Sequence, residues 1–164
     1  MITQEYLTKI LHYDIGNGVF TWLRHSDIDL VGTIAGSAND QGYVQIVLDG
    51  VSYKAHRLVW LYLYGEFPKR IIDHVDGDKG NNRIENLREC SYSENQANRG
   101  LNRNNTSGYK GVSFCKVRRK WRALVYYQKS RICCGFYNDI IDAAKAYDVK
   151  VVELFGEFAR HNFL

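Results

Sequence analysis

Between Arg99 and Arg131 the chain has no aspartate or glutamate, against ten lysines and arginines. The rest of the chain stands at −6, from 12 bases and 18 acids. Charge of one sign over one segment implies a polyanion partner, with a merely solvated basic face as the plainer alternative. Also missing is any apolar run of about 18 residues, so no membrane partner is expected. The opening MITQEYLTKI lacks a basic start followed by an apolar core, so no signal peptide is expected. The four cysteines, Cys90, Cys115, Cys133 and Cys134, form no CxxC pair. A reduced, cytoplasmic protein without structural zinc is the expectation. A hydrophobic content of 45% argues against disorder, and 164 residues suffice for one domain or two small ones.

What is present centres on residues 71–98, IIDHVDGDKGNNRIENLRECSYSENQAN. Ile71 and Ile72 form a short β-branched run that delivers Asp73-His74 to a loop of Asp76, Gly77, Asp78, Gly80, Asn81 and Asn82. Gly and Asx chemistry makes that loop a turn. Ile84 to Cys90 then returns beside the first segment. Ser91 with Glu94 three residues on is a capping box, so a helix begins there with Asn95 in its first turn. Asp73, His74, Asn86 and Asn95 are expected to converge where the hairpin meets that helix.

The stretch resembles the HNH nucleases, and most closely their phage and homing-endonuclease branch. Asp73-His74, Asn82-Arg83, Asn86-Leu87-Arg88 and Glu94-Asn95-Gln96-Ala97-Asn98 carry the resemblance. It implies a ββα-metal module whose set reads His74, Asn86, Asn95. His74 is the implied general base, since a neutral imidazole near pH 7 can take a proton from water. Asn86 would brace the loop or orient His74. Asp73 and the Asn95 amide oxygen would hold one Mg²⁺ or Mn²⁺, hard oxygen donors that leave room for water and phosphate. Asp73 and His74 alternate in direction if extended, so the loop is expected to redirect one of them. Taken singly, each of these residues has an ordinary structural role open to it, as turn former, surface amide or hydrogen-bonded histidine.

Upstream, Tyr6, Leu7, Ile10 and Leu11 have helical spacing over residues 3–13, with Thr3 as cap. Gly16-Asn17-Gly18 is a turn, and Val19 to Trp22 has strand composition. Tyr43 to Leu48, Asp49-Gly50 and Val51 to Ala55 spell a hairpin. The run His56 to Tyr64 is apolar almost all round, and the following Gly65 favours a helix. His56 is read as a structural histidine in preference to a third ligand. The Asp76 loop is not a calcium EF-hand, because the sixth position is Asn81 and the twelfth is Leu87.

Residues 99–108 read as a basic linker or an arm along a DNA groove. From Tyr109 a second module begins, with strands at Tyr109 to Phe114, Trp121 to Tyr127 and Arg131 to Tyr137. A helix follows from about Asp139 to Phe155, capped by Asn138 and stopped at Gly156. Tyr109-Lys110-Gly111-Val112, Trp121-Arg122-Ala123, Gly135-Phe136, Ala143-Ala144, Ala146-Tyr147-Asp148, Gly156 and Asn162-Phe163 resemble the AP2 DNA-binding domain. That resemblance implies a three-stranded sheet lying in the major groove, with Trp121 in the core. The chain departs from it at Ser113, Cys115, Leu124, Tyr126 and Cys133, which puts base specificity of the plant kind in question.

The expected architecture is therefore α+β: an HNH domain over residues 1–98 (its ββα-metal core at about 70–98), a linker over 99–108 and an AP2-like domain over 109–164. The expected partner is double-stranded DNA. The DNA-binding set is Arg99, Arg103, Lys110, Lys116, Arg118, Arg119, Lys120, Arg122 and Arg131. Two functions remain open, a metal-dependent, site-selective DNA endonuclease and a non-catalytic AP2-type binder with an HNH scaffold. One metal site per chain cuts one strand at a time, so a double-strand break requires a dimer or two sequential events.

Overall fold

A computed structural model describes residues 2–163. The chain divides into two compact units, Met1–Cys90 and Ser91–Leu164. No helix among the described residues is long and apolar enough to cross a membrane.

In the first unit, helix α1 spans Gln4–Ile10, and Thr3 Oγ1 accepts from the Tyr6 amide at 3.2 Å. The helix stops short of the expected residue 13. Strand β1, Leu11–Asp14, starts at once, burying Leu11 and Tyr13 with the alternation of a strand. It pairs antiparallel with β2, Val19–Trp22. Strands β3 (Ser37–Ala38), β4 (Val44–Leu48) and β5 (Val51–Lys54) form a three-stranded antiparallel sheet, with the Asp49-Gly50 turn where the sequence places it. Helix α2, Ala55–Tyr64, ends at Gly65. Its buried face, with Leu58, Val59 and Leu61, joins Leu7, Leu11 and Phe20 in the core.

Strand β6, Ile71–His74, pairs antiparallel with β7, Leu87–Cys90, so that Asp73 faces Arg88 and His74 faces Leu87. The returning strand is shorter than Ile84 to Cys90. Ile84–Asn86 form a tight 3₁₀ turn in which the Asn86 amide donates to the Arg83 carbonyl.

In the second unit, helix α3 covers Tyr92–Asn98. Its capping box is complete: Glu94 N donates to Ser91 Oγ at 3.2 Å, and Ser91 N to Glu94 Oε2 at 2.6 Å. Ala97 belongs to this unit's core, so α3 groups with the C-terminal residues, whereas the sequence places the boundary after Asn98. Strands β8 (Val112–Cys115), β9 (Lys120–Tyr127) and β10 (Ser130–Tyr137) form an antiparallel sheet in the order β10-β9-β8. β8 begins three residues later than expected because Gly111 has a φ of +74°. A Cβ there would lie 2.0 Å from the Tyr147 ring. Helix α4, Ile140–Phe155, lays Ala143, Ala144, Tyr147 and Val151 against Val112, Ala123 and Val125. Its cap is Asp139, which accepts from Ile141 N at 2.7 Å, and not Asn138.

Candidate active site

β6 remains extended through His74, so Asp73 and His74 alternate faces and no loop redirects either. Both are buried. Asp73 Oδ2 accepts from Arg88 Nε at 3.1 Å and Nη2 at 3.0 Å, across the ladder. A buried carboxylate needs such a partner, because an uncompensated charge there costs several kcal/mol, on the order of 3–5.

His74 Nε2 lies 3.2 Å from Asn82 Oδ1. Asn82 Nδ2 donates to the Gly80 carbonyl at 3.1 Å, which turns the amide oxygen toward the imidazole. An amide oxygen only accepts, so Nε2 carries the proton and Nδ1 the lone pair. Asn82 is held in turn by β1, whose Tyr13 hydroxyl donates to the Asn82 carbonyl at 2.8 Å. The β1-β2 turn backs the same segment: Gly18 has φ +72°, and a Cβ on it would stand 2.4 Å from Arg83 N.

The His74 ring also meets the edge of His56, in the first turn of α2, with centroids 5.1 Å apart and planes at 88°. Tyr43 closes the group, at 5.4 Å from His56 and 6.1 Å from His74. Burial pushes His56 down to about 3, helped by the charges of His74, Lys54 and Arg57. Burial also lowers His74, outweighing the Asn82 hydrogen bond and the carboxylates of Asp76, Asp73 and Asp78. Both rings are therefore neutral at pH 7.

Asn86 braces the loop. Its Oδ1 accepts from Asp76 N at 3.0 Å, and its Nδ2 donates to Asp76 Oδ1 at 3.0 Å and to the Asn81 carbonyl at 2.8 Å. Burial raises Asp76, but the hydrogen bonds from Asn81, Asn86 and Asp78 N together hold its carboxyl below the usual range. Asp78 caps Gly80 N at 2.9 Å. Both carboxylates shape the loop, as the sequence suggests.

Asn95 stands in the first turn of α3, half-buried, its backbone amide on the Ser91 carbonyl at 3.0 Å. Of the basic set, Lys116, Arg118, Arg119 and Lys120 are exposed around the β8-β9 turn, and Arg131 is exposed on β10. Arg118 lies over the Phe136 ring at 4.3 Å. Arg122 reaches Ser113 Oγ at 3.4 Å, while its buried Nε has no hydrogen-bond partner among the described residues. Arg99 closes α3 and donates to Gln96 at 3.0 Å, and Arg103 is exposed. Lys110 is different: its ammonium donates to the Ala97 carbonyl, and burial, with Arg160 and Arg99 nearby, brings it down to about 8. Trp121 is half-buried, packed beside Phe114 at 5.1 Å and against the second core.

Residues 53–97 match the HNH endonuclease family. The matched segment contains His56, Asp73, His74, Asn82, Asn86 and Asn95. The chain is 43% identical over 77 residues to Protein 3.8 of Escherichia phage T7, covering 44% of this chain and 64% of that protein. It is 28% identical over 155 residues to the uncharacterized HNH endonuclease L560 of Acanthamoeba polyphaga mimivirus, covering 90% of this chain and 76% of that one. Among solved structures, that of DNA binding and cleavage by the HNH homing endonuclease I-HmuI aligns with a TM-score of 0.42 at 26% identity, over 54% of this chain and 51% of that one. The chain thus spans less than two thirds of the phage protein and about half of the solved chain.

Sequence reasoning missed Asn82 as the partner of His74, Tyr13 as its support, and the contact of His56 and Tyr43 with His74. The Asn81-Asn82 pair beside Arg83 was a visible signal. The other contacts join residues distant in the chain and leave no local trace.

Proposed function

We propose that the chain is a divalent-metal-dependent, site-selective DNA endonuclease of the homing-endonuclease kind, hydrolysing phosphodiester bonds. The observation that carries this reading is a buried, neutral His74 at the end of β6, its tautomer set by Asn82, inside the segment that matches HNH endonucleases. In this reading His74 Nδ1 takes the proton of the attacking water, Asn82 and Tyr13 hold the ring, and Asn86 keeps the loop closed. The donor assigned to a cation in the first unit, the Asp73 carboxylate, is a hard oxygen that suits Mg²⁺ or Mn²⁺. No group of three or more His, Cys, Asp or Glu able to hold a metal occurs among the described residues, so water and phosphate would fill most of the shell. A bound ion would supply positive charge for the phosphorus centre and the leaving 3′-oxygen.

The second unit, in this proposal, is an AP2-like module that selects the site, with its sheet against double-stranded DNA. The sheet's exposed cations and the partnerless Nε of Arg122 support that role.

One observation favours the non-catalytic alternative: Arg88 occupies an oxygen of Asp73. Incubating pure protein with supercoiled plasmid and Mg²⁺ separates the two. The nuclease reading expects nicked or linear product from the wild type, and none with EDTA or in His74→Ala. An inert wild type, binding DNA tightly, would establish the scaffold reading.

A further inference from the structure

The first unit is acidic overall, with nine lysines and arginines against twelve acids over residues 1–90. Yet two of those lysines meet on one aromatic ring beside the histidine pair. Lys54 Nζ lies 4.1 Å from the centroid of Tyr43, and Lys79 Nζ lies 4.8 Å from it. The same ring is the one that contacts His56 and His74. Lys79 is further tied by its ammonium to the Gln41 carbonyl at 2.9 Å. Neither lysine is in an ion pair among the described residues, although Asp73, Asp76 and Asp78 all stand close enough to act on His74.

The chain arrives at this arrangement from three places. Tyr43 immediately precedes β4, Lys54 ends β5, and Lys79 belongs to the loop after β6. The β4-β5 register opposes Gln45 to Lys54, which brings the residues before β4 level with the start of α2. The field of Lys54 is felt at His56, which places that charge at the histidine pair by a second route. Tyr43, Lys54 and Lys79 are each half-exposed, so an incoming anion can reach both ammoniums.

Two like charges drawn to one ring, with carboxylates nearby but none paired to them, repel each other until an anion arrives. The π face holds them meanwhile, by roughly 0.5–1 kcal/mol each at exposed sites. Both ammoniums lie within 5 Å of one centroid, so they are less than about 10 Å apart. One strand of DNA presents a phosphate roughly every 3.4 Å along the axis, so that upper limit admits both ammoniums on phosphates close together on one strand.

We propose that Lys54 and Lys79, spaced by Tyr43, form a phosphate clamp that grips the backbone of the strand presented to His74. The clamp rests on the nuclease reading for its purpose, while its chemistry, two ammoniums on phosphodiester oxygens, does not require cleavage.

The test uses the full chain and a duplex oligonucleotide, with binding followed by fluorescence anisotropy over a salt series without metal. Lys54→Gln/Lys79→Gln is expected to flatten the log K against log salt plot by about 1.8, since each phosphate contact contributes about 0.9. Each single variant should remove about half of that, and Lys54→Arg/Lys79→Arg should restore it. Tyr43→Leu, which keeps both charges but removes their spacer, should weaken binding with a smaller change of slope. Where the wild type cleaves plasmid, the double Gln variant should raise KM more than it lowers kcat. An unchanged slope in the double variant, with thermal midpoint and wild-type cleavage intact, overturns the clamp and leaves the nuclease reading standing. A reduced slope with an inert wild type supports the clamp and removes the nuclease reading instead.

Discussion

His74 and His56 are both held neutral by burial, and that has consequences on two observables. A base must be deprotonated to act, and His74 lies below its usual value of about 6.5. For the proposed nuclease, the acid limb of cleavage should therefore have its midpoint below pH 6.5, and a nearby cation moves that limb in the same direction. A pH–rate profile of single-turnover nicking checks this, and an acid limb above 6.5 would contradict it. Stability carries the other consequence. As pH falls through 6.5 the unfolded chain protonates these histidines before the folded chain does, so stability present above that value is lost as pH falls, toward about 3 for His56. The loss is about 1.4 kcal/mol per pH unit for each such histidine. Replacing His56 with Phe should remove its share, so denaturant titrations at two or three pH values should show a shallower pH dependence in His56→Phe than in the wild type.

At the scale of elements, the site depends on what stands behind the loop. The β1-β2 turn reaches the Asn82-Arg83 backbone so closely that only glycine fits at position 18. Gly18→Ala adds a methyl at positive φ against Arg83 N, and the loop must move. The expected cost is about 2 kcal/mol or more, and for the proposed nuclease a fall in kcat, because Asn82 no longer meets His74. Ser91→Ala, by contrast, removes one arm of a capping box and should cost about 1 kcal/mol in a thermal melt. The difference between these two predictions mirrors what could be read from the chain. Ser91 and Glu94 declare their helix locally, as do Asp49-Gly50 between two strands, and Asp73-His74 declare their strand end through the motif. Leu11, apolar in both a helical and an alternating pattern, does not reveal where α1 gives way to β1. Nor do Gly18, Tyr13 and His56 reveal their nearness to residues 74–83, since those contacts close loops of many residues and depend on tertiary packing alone. Asn138 and Asp139 are both good caps, and spacing by itself does not choose between them.

Over the whole molecule, charge is partitioned: residues 1–90 hold nine bases and twelve acids, and residues 91–164 hold thirteen bases and six acids. DNA affinity should therefore reside mainly in the second unit, but not in all of its cations equally. Lys116, Lys120 and Arg131 are exposed, whereas Lys110 is half-buried with its ammonium on the Ala97 carbonyl at the end of α3. If the second unit contacts about five phosphates, log K should fall with log salt at a slope of roughly −4 to −5. Lys116→Gln, Lys120→Gln and Arg131→Gln together should flatten the measured slope by about 2.7 and leave the melting temperature nearly unchanged. Lys110→Met should do the reverse, lowering stability by about 1 kcal/mol through the hydrogen bond lost from the Ala97 carbonyl, which keeps the Arg160 amide at 3.2 Å, while leaving the slope intact. Anisotropy between about 50 and 200 mM salt, with a thermal melt of each variant, separates the two roles. A slope that falls with Lys110→Met by as much as with Arg131→Gln would return Lys110 to the DNA-facing set, and a slope indifferent to the triple change would move the DNA contact off this sheet.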